Sequence, residues 1–196
     1  MEPALGSVTV TMSGATSRGA RGAAGWGGPT GPAPSVLLGP HAGAGSRCLG
    51  RRLPAAWRTW PATSFGNAGS LQVDNSPVKH ILLKFDLSSL GGQTIVGARL
   101  RLNVVDSSSS GGSFHRAAGN LWSEASVTWN NAPATDGSVA PVVVGSVSAG
   151  TTIEVDVTSL LSGNVLSLRV TSPSSNGADY SSKEGAAPPQ LAVTVQ

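Results

Sequence analysis

Val78-Lys79-His80-Ile81-Leu82-Leu83-Lys84-Phe85-Asp86-Leu87 changes character at almost every step. Ile81, Leu83, Phe85 and Leu87 share one parity; His80, Leu82, Lys84 and Asp86 share the other. Successive side chains of a strand point to opposite faces, so this pattern predicts a strand buried on one side. Ile95–Val105 repeats it, with Ala98, Leu100, Leu102 and Val104 set against Arg99, Arg101 and Asn103. One-sided alternation of this length belongs to antiparallel sheets, whose second face meets water.

Working outward, shorter stretches of the same kind follow. Ser70–Asp74, Ser113–Arg116, Ser126–Trp129 and Val142–Val147 read as strands. So do Thr152–Val157, Val165–Val170, the segment around Tyr180 and Leu191–Val195. Asp106–Gly112 and Thr171–Ala178 read as polar loops, and Ser159–Ser162 as a single helical turn. About nine short strands at this spacing, with no helical period and no internal repeat, predict an all-β, antiparallel, jelly-roll-like β-sandwich.

Composition agrees. Of 196 residues, 12% are charged and 5% aromatic, against about a quarter charged in an average domain. The net charge of +3 is an average of two unlike parts. Residues 1–60 hold six Arg, no Lys and one acid, Glu2, among twelve Gly, ten Ala and six Pro. Residues 61–196 hold seven bases and nine acids. The early segment cannot bury enough apolar surface to offset the entropy of ordering it. Its composition is that of a disordered extension, or of a GC-rich gene translated in the wrong frame. The boundary is set at 62/63. Within the segment only Ser7–Met12 alternates like a strand.

Several function classes drop out. No Lys/Arg stripe carries interleaved aromatics, so nucleic-acid binding is not expected. No run approaches the ~18 apolar residues of a membrane helix. No basic, apolar leader is visible after Met1. The single Cys48 cannot form a disulfide within the chain. His41, His80 and His115 fall in no metal-ligand spacing, and neither a nucleophile elbow nor a Walker loop is present. A glycosidase pair drawn from Glu124, Glu154, Asp156 or Glu184 stays open, because carboxylate separation is set by the fold.

The most distinctive stretch is Leu121-Trp122-Ser123-Glu124-Ala125-Ser126-Val127-Thr128-Trp129-Asn130-Asn131-Ala132-Pro133. Three others accompany it in order: Leu71–Leu87, Ala98–Leu102, and Gly177–Gly185 leading to Pro188-Pro189-Gln190-Leu191. Together they resemble the DNRLRE domain, or carbohydrate-binding module family 96, over about Thr63–Gln196. The resemblance implies a jelly-roll-like sandwich in secreted or cell-surface bacterial proteins. Such modules are appended in other members to polysaccharide lyases and hydrolases, and some bind anionic polysaccharides. Family members open with a first strand that Ala55–Trp60 does not supply. Either Ser7–Met12 substitutes for it from a distance or it is missing.

The expected function is therefore non-catalytic binding of a polysaccharide, an acidic one by the argument that follows. A structural spacer or adhesive domain is the alternative, and a small hydrolase or lyase the third reading. Arg99 and Arg101 could clamp carboxylates or sulfates bidentately, or pair across strands with Glu154 and Asp156; Arg169 is a further candidate on another face. Trp122 and Trp129 could stack on sugar rings, or anchor the core. Lys79, His80, Arg116, Tyr180 and Lys183 complete the candidate ligand-binding set. Asp179 and Glu184, five residues apart, could hold a structural Ca²⁺ with backbone carbonyls. With only six aromatics after residue 60, the chain lacks the flat aromatic platform that a crystalline neutral glycan needs.

Overall fold

The computed structural model describes residues 64–196 and the backbone of residues 6–19. Ten strands are present among these: β1 (Gly6–Gly19), β2 (Ser70–Asn75), β3 (Val78–Asp86), β4 (Ile95–Asp106), β5 (Gly112–Arg116), β6 (Val142–Val144), β7 (Thr152–Asp156), β8 (Val165–Thr171), β9 (Ala178–Ser181) and β10 (Gln190–Val195). Every pairing among them is antiparallel. Helix is limited, among the described residues, to single 3₁₀ turns at Ser88–Leu90, Trp129–Asn131 and Thr158–Leu160. The last of these overlaps the turn expected at Ser159–Ser162.

The sheet runs β1-β10-β4-β9-β2-β3-β8-β5-β6, with β7 also paired to β4. It curls, because β1 serves two partners. Gly6–Thr11 pairs with β10, and Met12–Gly19 pairs with β3 after a register shift between Met12 and Gly14. An extra residue bends a strand and increases its twist, which suits one strand to crossing between two layers. One layer is then β1–β10–β4–β7 and the other β1–β3–β8–β5–β6.

The alternation predicted from sequence sets the core. Ile81, Leu83, Phe85 and Leu87 are buried, as are Ala98, Leu100, Leu102 and Val104. Leu166, Leu168, Val170, Leu191 and Val193 meet them from the facing strands. At about 25 cal/mol per Å² of apolar area removed from water, such burial is the main favourable contribution to folding. Leu82 departs from the scheme. It lies on the outer face of β3, yet is 1% exposed, because Trp122 and Val127 cover it as a second small cluster.

Gly6–Gly19, which takes in Ser7–Met12, forms a strand; the rest of the segment expected to be disordered, with Cys48 and Ala55–Trp60, lies outside the described residues. Two expectations are corrected. Ser126–Trp129 is not a strand. The N–H groups of Ser126 and Val127 both bond to Ser123 O, and Thr128 leads into a 3₁₀ turn capped by Asn131. Short-range polar bonding from Ser, Thr and Asn outcompetes the ladder there. The strand expected over Val142–Val147 stops at Val144.

Four acids organise turns. Asp74, Asp86, Asp136 and Asp156 each accept the backbone N–H two residues on, from Ser76, Ser88, Ser138 and Thr158. Their shared signature is Asp-x-Ser/Thr, which a search for period-two alternation does not pick up. Asp136 also accepts from the Ser138 hydroxyl and from Arg116 Nε at 2.8 Å. The Ser138 bonds first, and then Arg116, bring its carboxyl from 3.8 down to about 2. A depressed folded-state pKa means stability that is fully present above 3.8 and lost as pH falls toward about 2. Asp136→Asn should therefore flatten the acid limb of stability against pH between those values. Parallel acid limbs for the two proteins in urea titrations would refute this role.

Candidate functional site

Three strands build an exposed polar surface. On β4 the outward residues are Arg99, Arg101 and Asn103; on β7 they are Thr152, Glu154 and Asp156; on β10 they include Gln190. Register brings them into rows. Gln190, Arg101 and Glu154 lie side by side, Arg99 faces Asp156, and Asn103 faces Thr152. The segment Ala186–Pro188 forms one wall of a groove of about 600 Å³ whose floor is Arg101, Asn103, Thr152, Glu154 and Gln190; Arg99 and Asp156 lie one row further along, outside that lining.

Arg101 donates from Nε to Glu154 Oε1 at 2.7 Å, with the two side chains 50% and 41% exposed. Its Nη atoms make no bond among the described residues. An exposed pair of this kind is worth only about 0–1 kcal/mol, so a ligand carboxylate can compete for the guanidinium. Asp156 is held ionised below the usual carboxylate range, by the Thr158 hydroxyl and N–H first and by Arg99 last. Register gives each arginine a cross-strand acid, in an ion pair for Arg101, and both arginines remain exposed.

A second group forms on the outer face of the other layer. Trp129, half-buried in its 3₁₀ turn, lies 5.0 Å from the His80 ring and 5.9 Å from the Arg169 guanidinium. Arg169 donates from Nη1 to Pro133 O at 2.8 Å and directs Nε and Nη2 at His80 Nδ1. Its burial lowers its pKa. His115 bonds Thr171 Oγ1 at 3.1 Å, and burial first, then Arg169, lowers its pKa. Arg169 is spent on holding the Trp129 turn against β8, which makes this group a clasp rather than a free cationic patch.

The remaining sequence candidates disperse. Trp122 is only 8% exposed, donates its indole N–H to Ser167 Oγ at 2.9 Å and presents what remains to a cavity of about 360 Å³ beside Leu121 and Pro133. Tyr180 is 0% exposed; its hydroxyl donates to Gly111 O at 2.6 Å and burial raises its pKa. It belongs to the core and not to a ligand surface, a reversal that its place in a polar sequence concealed. Arg116 is engaged by Asp136 and Ser138. Lys79 donates to Gln72, which in turn donates to Asp179. Lys183 bridges Glu184 and Glu124, and those bonds, Glu184 first, raise its pKa.

Asp179 and Glu184 take separate partners. Asp179 is tied to β2 through Gln72, and Glu184 is turned to Lys183 and Ser182. Among the described residues no three His, Cys, Asp or Glu gather as a metal site. The four acids weighed as a glycosidase pair divide likewise: Glu124 and Glu184 flank Lys183, whereas Glu154 and Asp156 stand on β7 beside the arginines. No helix among the described residues is long and apolar enough to cross a membrane.

The curled antiparallel sheet places the chain in the class of all-β, sandwich-like domains. Within that class the chain belongs to carbohydrate-binding module family 96, which matches it over residues 57–195. Modules of this type bind carbohydrate rather than transform it. Curated proteins supply no match to the chain.

Proposed function

We propose that this is a non-catalytic module of a secreted or cell-surface protein and that it holds an acidic polysaccharide in the groove of β4, β7 and β10. The carrying observation is Arg101. Glu154 fixes it through Nε, and its two Nη groups make no hydrogen bond among the described residues, where Asn103, Thr152 and Gln190 line the same groove. A planar guanidinium fork matches a carboxylate bidentately, and the neutral neighbours suit sugar hydroxyls as donors and acceptors. Aromatic stacking has little part in this reading. Of the aromatics at 64–196, four are buried and only Phe65 and Trp129 are half-buried.

The test is retardation of the protein in gels containing alginate, pectin, chitin or neutral glucans. Acidic polymers should retard it, and less so as salt rises, since exposed charges are screened over about 10 Å at 0.1 M. Replacing Arg99 and Arg101 together with Ala should weaken retardation about tenfold, taking two charge-assisted contacts at roughly 0.5–1 kcal/mol each, and leave the fold intact. Retardation by no polymer would leave the spacer reading. Retardation unchanged in the double variant would move the site elsewhere.

A further inference from the structure

Charges alternate across the strands that carry the groove. Passing from β10 to β7, the row that lines it reads Gln190, Arg101, Glu154, and the neighbouring row reads Ala192, Arg99, Asp156. Directly opposite residues in an antiparallel pair have Cβ atoms about 5 Å apart, and rows two residues apart along a strand are separated by about 6.7 Å. Each cation thus has a carboxylate on its β7 side. A glycan that crosses the groove from β10 to β7 with a carboxylate on Arg101 places its next unit beside Glu154. A second carboxylate there is repelled. A hydroxyl there is bound, because an ionised carboxylate is an acceptor only.

Resting on the groove reading above, we infer that the site selects a charge-sparse acidic glycan, with carboxylate-bearing units separated by units that carry hydroxyls or esters, over a polymer charged at every unit. Glu154 is the discriminating residue. Its carboxylate meets Arg101 only through Nε, so Glu154→Gln keeps an acceptor at that place and removes the charge. Asp156 cannot be exchanged as cleanly, since it also holds the N–H of Thr158 at 3.0 Å.

The experiment titrates the full chain and E154Q with polygalacturonate of graded methyl esterification, at low salt and constant polymer length. The wild-type protein is expected to bind most tightly at intermediate esterification and about threefold more weakly to the unesterified polymer. E154Q is expected to move the optimum to the unesterified polymer and to bind that polymer about fivefold more tightly than wild type, the equivalent of one exposed charge interaction. Wild-type affinity that rises steadily with polymer charge, or an E154Q profile that matches wild type, overturns the selection for sparse charge. In those cases the groove reading survives if the Arg99 and Arg101 double variant still binds less. Absence of binding at every degree of esterification overturns both.

Discussion

Trp122→Ala is expected to lower the unfolding free energy by about 3–5 kcal/mol, the usual cost of removing a buried Trp side chain. The indole covers Leu82 and Val127 on the outer face of β3. Its N–H is held by Ser167 Oγ at 2.9 Å, and that hydroxyl donates onward to Gly119 O at 3.1 Å. The Lys84 ammonium sits 4.8 Å from the ring and donates to the carbonyl of the same residue. Truncation therefore leaves a cavity, exposes Leu82 and releases the long loop that leads to the Trp129 turn. Against a total stability of about 5–15 kcal/mol for a domain, that is a large share. Trp122→Phe should cost less, because most of the apolar cover remains and one neutral hydrogen bond is lost at about 1 kcal/mol. Guanidinium unfolding curves for the three proteins give the comparison. A shift under about 1 kcal/mol for the Ala variant would show that the loop packs independently of its Trp.

Gly112→Ala should be nearly as damaging, at about 2–5 kcal/mol, the sum of two costs. Gly112 opens β5 at φ +105°, where an L side chain is strained, and a Cβ there would meet Val170 Cγ1 at 2.9 Å and Thr171 O at 3.0 Å. Backbone strain of this kind costs about 1–3 kcal/mol, and overpacking a core costs a similar amount. Gly145→Ala is the control. A Cβ added to it meets nothing within 4 Å, and its φ is not positive, so it should stay within about 0.5 kcal/mol of wild type. If thermal melts place the two variants together, the close approach of β5 to β8 is not what demands glycine.

The second prediction concerns a constraint that the sequence does not display. Asp106–Gly112 reads from sequence as a Ser/Gly loop. Gly111 and Gly112 instead pass so close to β8, β6 and Tyr180 that a side chain at either would collide with them. Ser126–Trp129 alternates for four residues, which is too short a run to separate a strand from a capped turn. Tyr180 stands among Asp, Ser and Lys, and nothing local marks it as a core residue whose hydroxyl is satisfied by Gly111 O.

By itself the sequence determined what depends on a period of two. Val78–Leu87, Ile95–Val105, Thr152–Val157 and Val165–Val170 each declare which face is buried, because one-sided burial is written directly into the alternation. That was enough for the all-β class and for placing Arg99, Arg101 and Asn103 on a common outer face. The motif around Trp122 and Trp129 was enough for the family. Tertiary structure decided everything that depends on which strands are neighbours. Residues as distant in the chain as Gln190 and Arg101 share a row only because β10 and β4 pair in one register. The same holds for Arg101 with Glu154, Arg169 with His80, and Lys183 with Glu124. Strand pairing is non-local, and a backbone ladder accepts almost any partner of the right direction. The cost and benefit of each juxtaposition are settled only when the whole sheet closes on its core. Charge pairing, and with it the character of the groove, was therefore beyond the reach of local pattern.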